Sequence, residues 1–230
     1  MDLPAQHPLP RGLIQVAGVH DLAETRMLLA CGVDLVGIPL RLTVNAEDLD
    51  EAAAARISRA CPGRCCLITY LDRTDEITDL ARYLDVRYIQ LHGPVDPAIL
   101  PGLRESLPGV CLIKSLVIGL AAERDLLATM ESCAGGVDAF ITDTYNPETR
   151  AEGATGIPHD WSVSRRLVAA SPRPVILAGG LNPGNLAQAI EAVRPHGVDV
   201  HTGVEGPDGR KEEALVRSFV RIARDKYRKY

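Results

Sequence analysis

Eight short apolar runs recur along the chain with helical patterns between them, and this alternation constrains the fold more than any other feature. The runs are Leu13–Ala17, Leu35–Ile38, Cys65–Tyr70, Tyr88–Leu91, Val110–Ser115, Val137–Thr142, Pro174–Ala178 and Val198–His201. Their mean spacing is about 26 residues, which accommodates one strand, a loop and a helix of three turns. Helix boundary signals fall in the gaps. Asp21–Cys31 starts on an acid and stops at Gly32, and Ala46–Ala60 carries Glu47 and Asp48 before ending at Pro62-Gly63. Asn182-Pro183 reads as an N-cap followed by proline at the first helical position. Over Lys211–Tyr227 a helical repeat puts Leu215, Phe219, Val220 and Ile222 on one side.

Consecutive apolar residues, as in Val175-Ile176-Leu177, predict strands covered on both faces, the mark of a parallel sheet under helices. Eight βα units without a break in composition predict an α/β protein with a single domain over residues 1–230. Its expected fold is a closed, parallel, eight-stranded (β/α)8 TIM barrel with a short Pro-rich extension over residues 1–12. A doubly wound open sheet is the alternative. Aromatic residues are only 4% of the chain, so the core has to be built from Leu, Ile, Val and Ala.

With 25 basic and 30 acidic residues the net charge is −5, which leaves no basic excess for nucleic acid or an anionic membrane. No apolar run approaches the ~18–20 residues that span a bilayer. The Pro-rich start lacks the apolar centre of an export signal, so a cytoplasmic protein is expected. Six cysteines, Cys31, Cys61, Cys65, Cys66, Cys111 and Cys133, are scattered without a second ligand pair, and read as free thiols in or near the core. Neither a metal site nor a cofactor motif is expected.

In a barrel of this kind the active site lies at the C-terminal ends of the strands. The residues there are His20, Arg41, His92, Lys114, Asp143, the pair Gly179-Gly180, and His201-Thr202-Gly203 with Glu205 close behind. Gly179, Gly180, Thr202 and Gly203 follow the last two runs, where backbone N–H groups and a hydroxyl suit a phosphate. Spacing alone also allows these glycines to serve tight turns.

Gln90-Leu91-His92-Gly93, Ile113-Lys114, Gly153-Ala154-Thr155-Gly156 with Asp160-Trp161, Leu177 to Asn185, Asp199 to Glu205, and Gly209-Arg210-Lys211 occur in that order. In these motifs the chain resembles the phosphoribosylanthranilate isomerase family of tryptophan biosynthesis, more closely in its second half than in its first. The resemblance implies a (β/α)8 barrel that carries out an Amadori rearrangement of an N-linked aldose phosphate. That chemistry needs an acid to open the sugar ring and a base to remove the C2 proton. Asp143 matches the family's acid. The family's base is a cysteine within Lys-Ile-Cys-Gly, where this chain has Gln15-Val16-Ala17-Gly18.

Ala17 has nothing to titrate, so the expected active site is atypical. His20, three residues on, is the first candidate for a substitute base; His92, His159 and His201 are others. Arg41 is the candidate for the anthranilate carboxylate, with His92, Lys114 and His201 lining the substrate. Lys114 also reads as a buried structural lysine paired with Asp143 or Glu205. The expected partner is a small phosphorylated substrate, bound by a monomer or a homodimer. Alternatives left open are a lyase or isomerase on another phosphorylated substrate, and a barrel that binds sugar phosphate without catalysis.

Overall fold

Parallel pairing passes from strand to strand until the sheet closes on itself. The structure, a computed structural model, describes residues 9–43, 47–146, 151–152, 156 and 159–229. Its strands are β1 (Leu13–Ala17), β2 (Leu35–Leu40), β3 (Cys65–Thr69), β4 (Tyr88–Leu91), β5 (Cys111–Ile118), β6 (Ala139–Asn146), β7 (Ala151–Glu152), β8 (Val175–Leu177) and β9 (Gly197–Val200). The helices between them are α1 (Leu22–Ala30), α2 (Glu51–Ala60), α3 (Thr74–Leu84), α4 (Leu100–Ser106), α5 (Glu123–Cys133), α6 (Trp161–Ala170), α7 (Leu186–Val193) and α8 (Glu213–Tyr227). The ring runs β1-β2-β3-β4-β5-β6-β8-β9 and returns to β1, all parallel, while β7 pairs antiparallel with the end of β6. This is the (β/α)8 barrel, and the open-sheet alternative falls.

Period-two alternation sorts the side chains into two cores. Leu13, Leu35, Cys66, Cys111, Ile113, Ala139, Ile141 and Ile176 point inward and fill the barrel. Ile14, Val36, Ile38, Leu67, Ile89, Leu112 and Phe140 point outward beneath the helices. Each such side chain contributes about 1.5–3 kcal/mol when fully buried. Cys61, Cys65, Cys66, Cys111 and Cys133 are buried free thiols and Cys31 is half-buried. Burial pushes the Cys65 thiol up to about 12, so it packs as a small apolar group.

Several expected boundaries move. β5 runs on to Ile118 and β6 to Thr144 because each supplies the other's ladder, with Val117 opposite Asp143 and Ile118 opposite Thr144, and β6 continues to Asn146 by pairing with β7. Asp143 therefore sits within a strand and not beyond its end. α2 starts at Glu51, since Asp50 caps it by accepting from Ala53 N at 2.6 Å. Glu47 lies instead in the preceding loop, where its Oε1 accepts from Arg41 N. Asn182 does bond like a cap, its Oδ1 accepting from Gly184 N and Asn185 N, but the regular helix begins only at Leu186. In α8 the buried stripe is Val216, Phe219, Val220 and Ala223, with Leu215 and Ile222 at its margins. No described helix is long and apolar enough to cross a membrane.

Candidate active site

Above the apolar floor the interior turns polar. Gln15 Nε2 donates to Gln90 Oε1 at 3.1 Å, and Gln90 Nε2 donates to Ser115 Oγ at 3.1 Å. His92 Nδ1 lies 3.0 Å from the same hydroxyl, and its ring tilts against Tyr70 with centroids 4.9 Å apart. A chain of hydrogen bonds thus crosses the barrel from β1 to the end of β4 and β5. Such a layer is tolerated inside because most of its polar atoms pair with one another, Gln15 Oε1 being the exception.

Two carboxyl groups join this layer. Asp143 of β6 accepts from Thr144 N at 2.8 Å. Burial raises its pKa above the usual carboxylate range, with the charge of His92 acting in the other direction. Asp199 of β9 stands opposite Gln15 in the ladder and is buried. Burial first, and then the charge of Asp143, push it up to about 7. The two carboxyls therefore disfavour each other's ionisation.

The loops after β8 and β9 form the adjoining wall. Gly179 has φ +91, and a Cβ there would meet Thr144 Oγ1 at 2.1 Å and His159 Nδ1 at 2.9 Å. Only glycine lets this backbone approach so closely. Gly203 is the middle residue of a short 3₁₀ turn (Thr202–Val204), and a Cβ there would lie 1.8 Å from the Leu181 carbonyl oxygen. Gly180 O accepts from Asn185 Nδ2 at 2.9 Å, which ties the loop to the start of α7. His159 is held between two hydroxyls, with Nδ1 2.8 Å from Thr144 Oγ1 and Nε2 2.5 Å from Ser164 Oγ. Its burial lowers the imidazole to about 4.

His201 closes the mouth beside β1: its Nε2 lies 2.2 Å from where a Cβ on Gly18 would be. The Gly18 backbone, with φ +72, leaves the room that this ring occupies. Burial and the neighbouring Lys211 and His20 push the imidazole down to about 3, so it is neutral. The Lys211 side chain is fully buried, and its Nζ donates to Glu205 Oε1 at 2.6 Å and to His201 O at 3.2 Å. That ion pair fixes the loop carrying His201.

Not every residue singled out from the sequence reaches this mouth. His92, Asp143, His201 and the glycine pair do. Lys114 does not: Ile113 and Ser115 face inward, so Lys114 faces the helices. Its Nζ donates to the carbonyls of Leu91, Gly93 and Ser115. The lysine that pairs with Glu205 is Lys211 and not, as expected, Lys114. His20 lies at the rim, its backbone N bonded to Glu24 and its Nε2 3.3 Å from Gly209 O. Arg41 is half-exposed at the end of β2 and forms an ion pair with Glu51. Gly153-Ala154-Thr155 lies outside the described residues.

Gln15, Ser115 and Asp199 were not picked out from sequence. Each stands two residues from one that drew attention (Ala17, Ile113 and His201), and period two is the signal that would have found them. Among the described residues, no group of three or more His, Cys, Asp or Glu side chains is placed to hold a metal ion.

The family model for N-(5'-phosphoribosyl)anthranilate isomerase matches residues 43–222. N-(5'-phosphoribosyl)anthranilate isomerase 2 of Methanosarcina mazei is 36% identical, over 93% of this chain and 95% of that protein. The Haloferax volcanii isomerase is 38% identical over 92% of each. The solved phosphoribosylanthranilate isomerase of Thermotoga maritima superposes with a TM-score of 0.77 at 26% identity, covering 93% of this chain and 99% of that one. The closed parallel barrel agrees with these matches, and the chain belongs to the N-(5'-phosphoribosyl)anthranilate isomerase family, enzymes of the aldose–ketose isomerase class.

Proposed function

We propose that this chain converts N-(5'-phosphoribosyl)anthranilate into the corresponding 1-amino-ketose phosphate, with Asp143 as the acid. The observation that carries this reading is the placement of Asp143 inside the mouth, on β6, with a carboxyl that burial keeps protonated to higher pH than usual. A protonated carboxyl there delivers its proton to the furanose ring oxygen as the C1–O bond breaks. The nitrogen lone pair then forms an iminium at C1. The backbone N–H groups of Gly179, Gly180 and Gly203 and the Thr202 hydroxyl hold the phosphate. His92 and His201 border the sugar, and Arg41 exchanges Glu51 for the anthranilate carboxylate. The isomerisation moves no net electrons, so no redox cofactor is called for. The chain works in the cytoplasm on this small molecule, as a monomer or a homodimer.

Turnover of the purified protein on phosphoribosylanthranilate, together with growth of a tryptophan auxotroph lacking its own isomerase, tests the reading. Both are expected. Ala17, which cannot accept a proton, favours a second reading: a barrel that binds sugar phosphate without turnover. Tight binding of a product analogue with no turnover at saturating substrate would establish that reading and sink the first.

A further inference from the structure

The rearrangement requires an acceptor for the C2 proton, and β1 departs from the family motif twice, with Gln15 for lysine and Ala17 for cysteine. Both side chains point into the barrel, two residues apart, and Gln15 stands opposite Asp199 in the ladder. A lysine at 15 would set an ammonium group against Asp199 and hold it as an ion-paired carboxylate. Glutamine offers only an amide. The change at Ala17 removes the thiol; the change at Gln15 releases a carboxyl one layer beneath it.

Asp199 is 8% exposed, and its Oδ1 has no hydrogen-bond partner; neither has Oε1 of the neighbouring Gln15. Two unpaired buried acceptors at one register position are costly unless a proton lies with one of them. The groups that act on Asp199 are Asp143 from β6, Lys211 from the loop before α8, and Gln15 beside it, with the neutral Cys66 thiol of β3 also near. The Lys211 ammonium is already engaged by Glu205. Desolvated in this way, Asp199 titrates at about 7. It is then partly ionised at neutral pH and a stronger base than an ordinary carboxylate. The histidines fit less well: His92 is held by Ser115 and against Tyr70, His159 is clamped between hydroxyls, His20 faces Gly209 O, and the His201 imidazole at about 3 is too weak a base.

We infer that Asp199 is the proton acceptor at C2, in place of the missing thiol, and that Gln15 leaves it free to act. This rests on the substrate reading above. After Asp143 has opened the ring, the Asp199 carboxylate takes the C2 proton. The C–H electron pair becomes the C1–C2 double bond, and the iminium electrons return to nitrogen. The resulting enaminol then ketonises: its hydroxyl proton goes to the Asp143 carboxylate, and C1 takes the proton held by Asp199. Both carboxyl groups are restored and the step is redox-neutral.

The test compares the intact chain with Ala17→Cys, Asp199→Asn, Asp199→Asn/Ala17→Cys and Gln15→Lys, reading kcat, binding of a product analogue, and the pH profile of kcat/KM. Asp199→Asn is expected to bind the analogue and to lose about 10²–10⁴-fold in kcat. Adding Ala17→Cys is expected to restore at least about tenfold of that, since the thiol returns to the family's position. Gln15→Lys is expected to move the acidic midpoint of the profile below its wild-type position near neutrality. If the wild type turns over and Asp199→Asn keeps comparable kcat, the inference is overturned while the substrate reading stands. A folded double variant that binds the analogue and stays inactive overturns it too. Absence of turnover in both the wild type and Ala17→Cys removes the substrate reading and the inference together. Should Asp199→Asn not fold, an unmoved midpoint in Gln15→Lys decides against it.

Discussion

His159 should make the protein sensitive to mild acid, and the size of the effect follows from its surroundings. In the folded chain burial holds the imidazole at about 4, against 6.5 for a solvated histidine. Between these values the unfolded chain binds a proton that the folded chain refuses, so stability falls as pH falls. Integrating this difference in proton binding gives a loss of about 2 kcal/mol at pH 5 and about 3 kcal/mol at pH 4, relative to neutral pH. Asp199 acts in the opposite sense: its raised pKa means the folded chain holds a proton that the unfolded chain has lost, so its contribution falls as pH rises toward 7. A single pH–stability curve therefore mixes the two effects. The useful comparison is wild type against His159→Gln by urea unfolding at several pH values. The variant should be less stable near neutrality, because the hydroxyls of Thr144 and Ser164 lose a ring partner. The gap should then narrow by about 2 kcal/mol on going to pH 5. A gap that stays constant across the range would refute the argument, since it would mean the ring titrates alike in both states.

Other expectations concern single contacts. Gly203→Ala drives a methyl group into the Leu181 carbonyl, so it should cost about 1–3 kcal/mol in thermal unfolding and raise KM for the sugar phosphate; an unchanged KM would remove Gly203 from the proposed phosphate cradle. Lys211→Met leaves Glu205 without its buried partner and should lower stability by about 3–5 kcal/mol, seen as a reduced Tm. Asp143→Asn should fold normally and lose about 10²–10⁴-fold in kcat, and near-normal turnover would exclude it as the acid.

How far such a site can be read in advance depends on which strand face is concerned. Positions of the strands were legible in the run spacing, since parallel strands covered on both sides carry unbroken apolar stretches. The glycines of the last two loops stand out because turn chemistry is local, whereas Asp143, inside β6, stands out through the family resemblance. The ends of β5 and β6 were not legible, because they are set by pairing, of β5 with β6 and of the last residues of β6 with β7. Parity was hidden for the same reason that the strands were visible: a strand apolar on both faces does not announce which of its residues look inward. The sequence therefore points to Lys114 where its neighbour Ser115 faces the mouth, and it shows Asp199 only as part of a motif. The chain by itself determined the barrel, its order and its family motifs through hydrophobic period and turn chemistry. Only closure of the sheet decided which side chains meet across the interior. Whether a carboxyl there keeps its charge depends on neighbours brought from distant strands, Gln15, Asp143 and Lys211 in the case of Asp199, and on the water that their packing excludes.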